Sequence, residues 1–254
     1  MPIAAADLAI QTYSFRHFAP TEIPRLVRAC GLRAVELCTM QIDLKQPART
    51  DEVLAAYREA GVAIVSFGVH GLGSPLDEAM CELAQRLGVR AIGVDFPPTL
   101  SLAPFRAAEK LAERFDLRFA IHNHGGYHWL GSRGMFDRVF AETSDRIGLC
   151  LDTAWAMHAG EDPIALVRAF GKRLFGLHIK DFVFDRAAKE RDIVIGDGNL
   201  DLAALRAALD EVGFAGWAAL EYEGEPEDPS PAIIACVAAA HARVCAAAGR
   251  AAQA

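Results

Sequence analysis

Basic runs are the first thing this sequence does without. Lysine and arginine total 26 against 33 aspartates and glutamates, a formal charge of −7. Broad binding to a phosphate backbone needs clustered Lys and Arg, so no nucleic-acid partner is expected. No stretch approaches the ~18 consecutive apolar residues of a membrane span, so no membrane association is expected either. The segment Met1 to Ile10 holds Asp7 and no basic side chain. It therefore lacks the charged start of a secretory signal, and a cytoplasmic protein is expected. Cysteines are few and scattered: Cys30, Cys38, Cys81, Cys150, Cys236 and Cys245 form no C-x-x-C pair. That spacing argues against a zinc–thiolate site or a disulfide framework and for reduced, buried thiols. A Gly-rich dinucleotide fingerprint, a P-loop and a nucleophile-elbow serine are also missing.

What is present is one pattern, repeated. An amphipathic helix is followed by Gly or a charged turn and then by a short apolar strand. The strand segments fall at residues 29–38, 60–69, 87–96, 115–124, 147–152, 174–179 and 217–222, with an opening strand at about Leu8 to Tyr13. Each interval accommodates one βα unit. The strands are apolar runs rather than strict alternations, as parallel strands covered by helices require. Thr50 is expected to cap the helix containing Val53, Leu54 and Tyr57, with Gly61 as its left-handed stop. Thr21 and Gly31 bracket the first helix in the same way. Leu202, Leu205, Leu209 and Val212 form a helical stripe ended by Gly213. Eight such units within 254 residues predict an α/β fold, a single (β/α)8 TIM barrel using residues 1–254 as one domain. The least structured stretch is Phe182 to Asn199, which a barrel places among the loops of its catalytic face.

Polar residues gather at the strand ends. Glu36 ends the second strand, His70 the third and Asp95 the fourth. His122-Asn123-His124 ends the fifth and Asp152 the sixth. The seventh carries His178, Lys180 and Asp181, and the eighth Glu221 and Glu223. A barrel brings these to one mouth, where so many ionisable groups must be paired or bind a cation. Imidazole nitrogen and carboxylate oxygen suit Mn²⁺, Co²⁺, Mg²⁺ or Zn²⁺, so a divalent metal is the expected cofactor.

The segments I-H-N-H-G-G (121–126), L-D-T-A-W (151–155), H-I-K-D (178–181) and L-E-Y-E (220–223) resemble the xylose isomerase-like barrel superfamily, which includes sugar phosphate isomerases/epimerases, ketose 3-epimerases and inosose dehydratases. The resemblance runs through nearly the whole chain in motif order. It implies metal ligands at Asp152, His178 and Glu221. Where many relatives carry Glu on the fifth strand, this chain has His122. Imidazole still ligates, so the implied set is His122, Asp152, His178 and Glu221. With two carboxylates rather than three, the bound ion is a stronger Lewis acid and the preference moves toward Mn²⁺, Co²⁺ or Zn²⁺.

The resemblance implies a metal-dependent isomerase or epimerase of a sugar, ketosugar or sugar phosphate acting through an enediolate. The runner-up is an inosose dehydratase-like lyase acting on a ketosugar or cyclitol. Relatives that epimerise use two Glu ligands on opposite faces of the sugar; one is absent here, and His-rich fifth strands occur among the dehydratases. Glu221 is the expected base, with His122, His124 or Lys180 returning or delivering a proton. His124 is open to ligand, acid/base or structural roles. Glu36, His70, Trp155, His158 and Arg16 are candidates for substrate contact. Some candidates also have a plainer reading: Trp155 as core packing, His158 as part of a loop and helix start, and Lys180 as a salt-bridge partner of Asp181. The partner expected is a small sugar or cyclitol. A nuclease and a non-catalytic binding barrel are the other classes, opposed by the acidic charge and by the retained ligand set. An Ala-rich helix from about Pro231 to Ala252 gives a hint of homo-oligomer contact.

Overall fold

A computed structural model describes residues 3–245. The last part of the expected C-terminal helix, beyond residue 245, lies outside the described residues. Eight barrel strands follow one another: Leu8–Gln11, Ala34–Cys38, Ala63–Gly68, Ala91–Asp95, Arg118–His122, Ile147–Asp152, Leu174–Ile179 and Trp217–Leu220. All their pairings are parallel, and the first strand lies between the second and the eighth. Closure is made by the third strand in two pieces. Ala63–Gly68 pairs with the second strand, and the continuation His70–Gly71 pairs with the fourth. The chain is thus a nearly closed parallel barrel wrapped by helices, the fold the repeated βα pattern predicts.

The first, second, sixth and seventh strands are buried along their whole length. Inside they face the barrel core, and outside they face helices, which is why their sequences are apolar without alternation. Helix Leu202–Val212 illustrates the outer layer. Asp201 caps it by accepting from the Ala203 and Ala204 amides, Leu202, Leu205 and Leu209 are buried, and Gly213 takes the left-handed stop at φ +65°.

Three local expectations are corrected. The second helix starts at Pro47, not after Thr50. The Thr50 hydroxyl instead exchanges hydrogen bonds with the backbone of Asp43, and proline fits a helix's first turn without a capping side chain. The first helix begins at Ile23 with Glu22, not Thr21, at its boundary and no side-chain cap. The stretch 182–199, expected to be the least structured, carries regular structure: Asp181–Phe184 and Glu190–Ile193 form an antiparallel hairpin over the barrel mouth region.

Candidate functional site

The strand-end carboxylates and imidazoles do converge. His122, Asp152, His178 and Glu221 each offer one donor atom, all within 4.8 Å of one another, and all four residues are buried. His122 Nε2 lies 2.9 Å from His178 Nδ1. Glu221 Oε2 lies 3.4 Å from His178 Nδ1, and Asp152 Oδ2 lies 3.8 Å from His122 Nε2. Donors bonded at ~2.0–2.2 Å around a tetrahedral ion stand roughly 3.3–3.6 Å apart, so these separations already bracket that geometry.

Two further observations test the fit to a cation. Asp152 Oδ1 accepts the Trp155 amide at 2.8 Å and caps the helix Thr153–His158, while Oδ2 is buried with no hydrogen-bond partner. Burial pushes this carboxyl well above the usual carboxylate range. A bound cation would relieve that cost. His178 is the second case. Its Nε2 lies 2.7 Å from Glu36 Oε2, which also accepts the Trp217 indole N–H at 2.6 Å. A proton held on Nε2 leaves the Nδ1 lone pair facing the other donors, the arrangement that orients ligating histidines. These residues fit a divalent metal.

Lys180 adjoins the cluster, completely buried. Its ammonium is 3.4 Å from Glu221 and 3.6 Å from Asp192, pairs with Glu223, and sits 5.4 Å above the Trp155 ring. Burial disfavours its charge, yet Glu221, Asp152, Glu223 and Asp192 outweigh that and raise its pKa above the ordinary lysine value. Burial alone would likewise protonate Glu221, but Lys180 and His178 prevail and hold it ionised. His124 is different: burial, then the neighbouring His128, lowers its pKa, so it is neutral near pH 7. Asp192 is pushed up to about 7 by burial, against the pull of Lys180.

A cavity of about 310 Å³ opens above the cluster, lined by His122, His124, Trp155, Glu221 and Glu223 together with Tyr13 and Met40. A wider depression of about 740 Å³ lies elsewhere, bordered by Arg90, Arg118 and Arg146 before or at the start of strands. The strand-end donors do not line it.

The remaining sequence candidates are placed apart from this cavity's lining. Glu36 is completely buried behind His178. His70 is hydrogen-bonded to Asp77 at 2.8 Å. His158 packs against Gly125 and meets Glu190 of the hairpin at 3.3 Å. Arg16 donates to the Glu223 carbonyl at 2.8 Å and lies over Tyr13. Lys180 is not bonded to Asp181, whose carboxylate instead accepts the amides of Gly196, Gly198, Asn199 and Leu200. Sequence reasoning missed Asp192 and Trp217. Asp192 lies in the hairpin that was read as loop, and Trp217 starts the eighth strand as an ordinary apolar residue.

A family model described as a xylose isomerase-like TIM barrel matches residues 24–239. Among curated proteins, the rhizopine catabolism protein MocC of Rhizobium meliloti is 33% identical over 157 residues, covering 56% of this chain and 48% of its own length. The inosose dehydratase of Clostridium beijerinckii is 23% identical over 237 residues, covering 84% of this chain and 77% of its own. The chain thus spans about half the length of the first relative, and of several further inosose dehydratases. A crystal structure of the IolI protein with a binding zinc atom superposes with a TM-score of 0.76 at 17% identity, covering 94% of this chain and 98% of that one.

Proposed function

The chain belongs to the xylose isomerase-like TIM-barrel family, and we propose that it is a divalent-metal-dependent dehydratase acting on a ketosugar or a keto-cyclitol. The observation that carries this is a buried lysine in contact with a glutamate of the metal-type cluster: Lys180 Nζ stands 3.4 Å from Glu221 Oε2. His122, Asp152, His178 and Glu221 would hold a divalent ion, which would supply a Lewis acid that lowers the cost of negative charge on substrate oxygens. Glu221 takes the proton on the carbon next to the carbonyl. The departing β-hydroxyl is protonated from Lys180 by way of Glu223, which pairs with Lys180 and lines the cavity, and it leaves as water. A raised lysine pKa does not prevent this, because hydroxide's conjugate acid, at ~15.7, is weaker still. Glu221 then carries the extra proton and Lys180 lacks one, and their contact lets the proton pass back. Trp155 offers an aromatic face to the ring of the substrate. Relatives named for inosose dehydration support the same reading. This reverses the order that the sequence alone favoured.

The isomerase or epimerase reading keeps one observation of its own. His124 is neutral and lines the same cavity, and a second base is what two-faced proton transfer needs. Incubating candidate ketosugars and keto-cyclitols with the metal-loaded protein in D₂O separates the two by mass. A product lighter by one water is expected. A product of unchanged molecular formula carrying deuterium on the carbon next to the carbonyl would replace the dehydratase reading with the isomerase one. No metal-dependent exchange or loss of water with any of them would overturn both.

A further inference from the structure

One more group of metal-type donors converges without sharing a residue with the cluster above. Asp95, His124 and His128 each offer one atom, and the three lie within 4.8 Å of one another. The group is built rather than incidental. The Phe96 amide donates to Asp95 Oδ1 at 2.8 Å and turns Oδ2 toward His128, 3.5 Å from its Nε2. The loop carrying His128 is tied to the end of the fourth strand by the Trp129 indole, which donates to the Phe96 carbonyl at 3.0 Å. The His124 and His128 rings lie 4.9 Å apart between centroids, and His124 Nδ1 is buried with no hydrogen-bond partner.

We propose that Asp95, His124 and His128 form a second divalent-cation site at the rim of the mouth, next to the first. Two imidazoles and one carboxylate are a donor set for borderline ions such as Co²⁺ and Zn²⁺. Asp95 and His128 stand at the separation of two ligands sharing an ion bonded at ~2.0–2.2 Å. An Nε2-ligated His128 would carry its proton on Nδ1, so it gives up only the 3.3 Å contact with the Leu130 amide. Three protein donors leave coordination positions for substrate oxygens. Because His124 lines the cavity and its ring lies 4.6 Å from that of His122, such an ion would stand beside the reacting centre. It would also occupy the lone pair that a second base requires.

The test is Co²⁺ titration of the chelator-stripped full chain, read by visible absorption and by metal analysis after dialysis. The wild type is expected to bind about two equivalents, and Asp95→Asn or His128→Gln about one, with loss of one absorption component. Both variants alter partly exposed residues and leave the buried cluster in place. His178→Ala is expected to lose the other equivalent and keep the rim component. A wild type saturating at one equivalent that Asp95→Asn and His128→Gln leave unaltered overturns the rim site without touching the first. Retention of both equivalents in His178→Ala overturns the first site and leaves this one standing.

Discussion

At His178 the nearer of two carboxylates favours the ring proton on Nε2, Glu36 at 2.7 Å against Glu221 at 3.4 Å from Nδ1. Glu36 is itself held by the Trp217 indole, so the lone pair on Nδ1 is presented to the other donors. Replacing Glu36 by Gln keeps the shape but removes the charge that fixes this tautomer. Metal affinity is then expected to fall by about 10- to 100-fold, measured by titration against a competing chelator. An unchanged affinity would mean that Glu36 does not govern the ligand. This residue marks how far sequence reading reaches. That Glu36 sits at a strand end was legible, and so was its membership of the polar ring. Its direction was not, because the partners that turn it inward, His178 and Trp217, come from strands far along the chain. Asp152 shows the reverse. Helix cap and metal-type donor were competing readings in the sequence, and the carboxylate has one oxygen for each.

Among the elements, the loop after the seventh strand departs most from its expectation. Its charge and glycine content read as the least structured stretch of the chain, among the loops of the catalytic face. It forms a hairpin, and the segment that follows is gathered onto one side chain: Asp181 accepts four backbone amides from residues 196–200. Such a nest is invisible in sequence because backbone amides carry no residue identity. Only Gly198 leaves a trace, since a Cβ there would stand 2.5 Å from Asp181 Oδ1. Asp181→Asn replaces one acceptor oxygen by a donor facing amide N–H groups. The expected cost is about 2–3 kcal/mol, in line with hydrogen bonds to a charged group, read from urea unfolding. Limited proteolysis near Lys189 and Arg191 should accelerate as the hairpin loosens. Unchanged cleavage and stability would show that the hairpin is held by its own ladder instead. Asp192, which reaches Lys180 from this hairpin, makes the loop part of the mouth rather than a cover remote from it.

Over the whole molecule, the repeated βα pattern was enough to place eight strands, because helix-covered parallel strands must be apolar on both faces. Closure through a divided third strand was not legible, since His70–Gly71 is too short to have a pattern. The same architecture sets a consequence for stability. The barrel brings Asp152, His178, Glu221 and Lys180 into an interior from which water is largely excluded, and the unfolded chain has no such arrangement of donors. An ion that binds only the folded state stabilises it by mass action, about 2.7 kcal/mol at a free concentration of one hundred times Kd. For a domain of this size each kcal/mol moves Tm by roughly 2–4 °C. Stripped protein given Mn²⁺, Co²⁺ or Zn²⁺ at that excess is therefore expected to melt about 5–10 °C higher, the product of those two factors. His178→Ala should lose most of the shift, because a set of four ligands falls to three and Glu36 loses the proton donor it orients. Asp95→Asn should keep most of it. A wild type whose melting does not respond to any of the three ions would leave the buried donors as a purely internal ion-pair network, with Lys180 and His178 as counter-charges to the carboxylates.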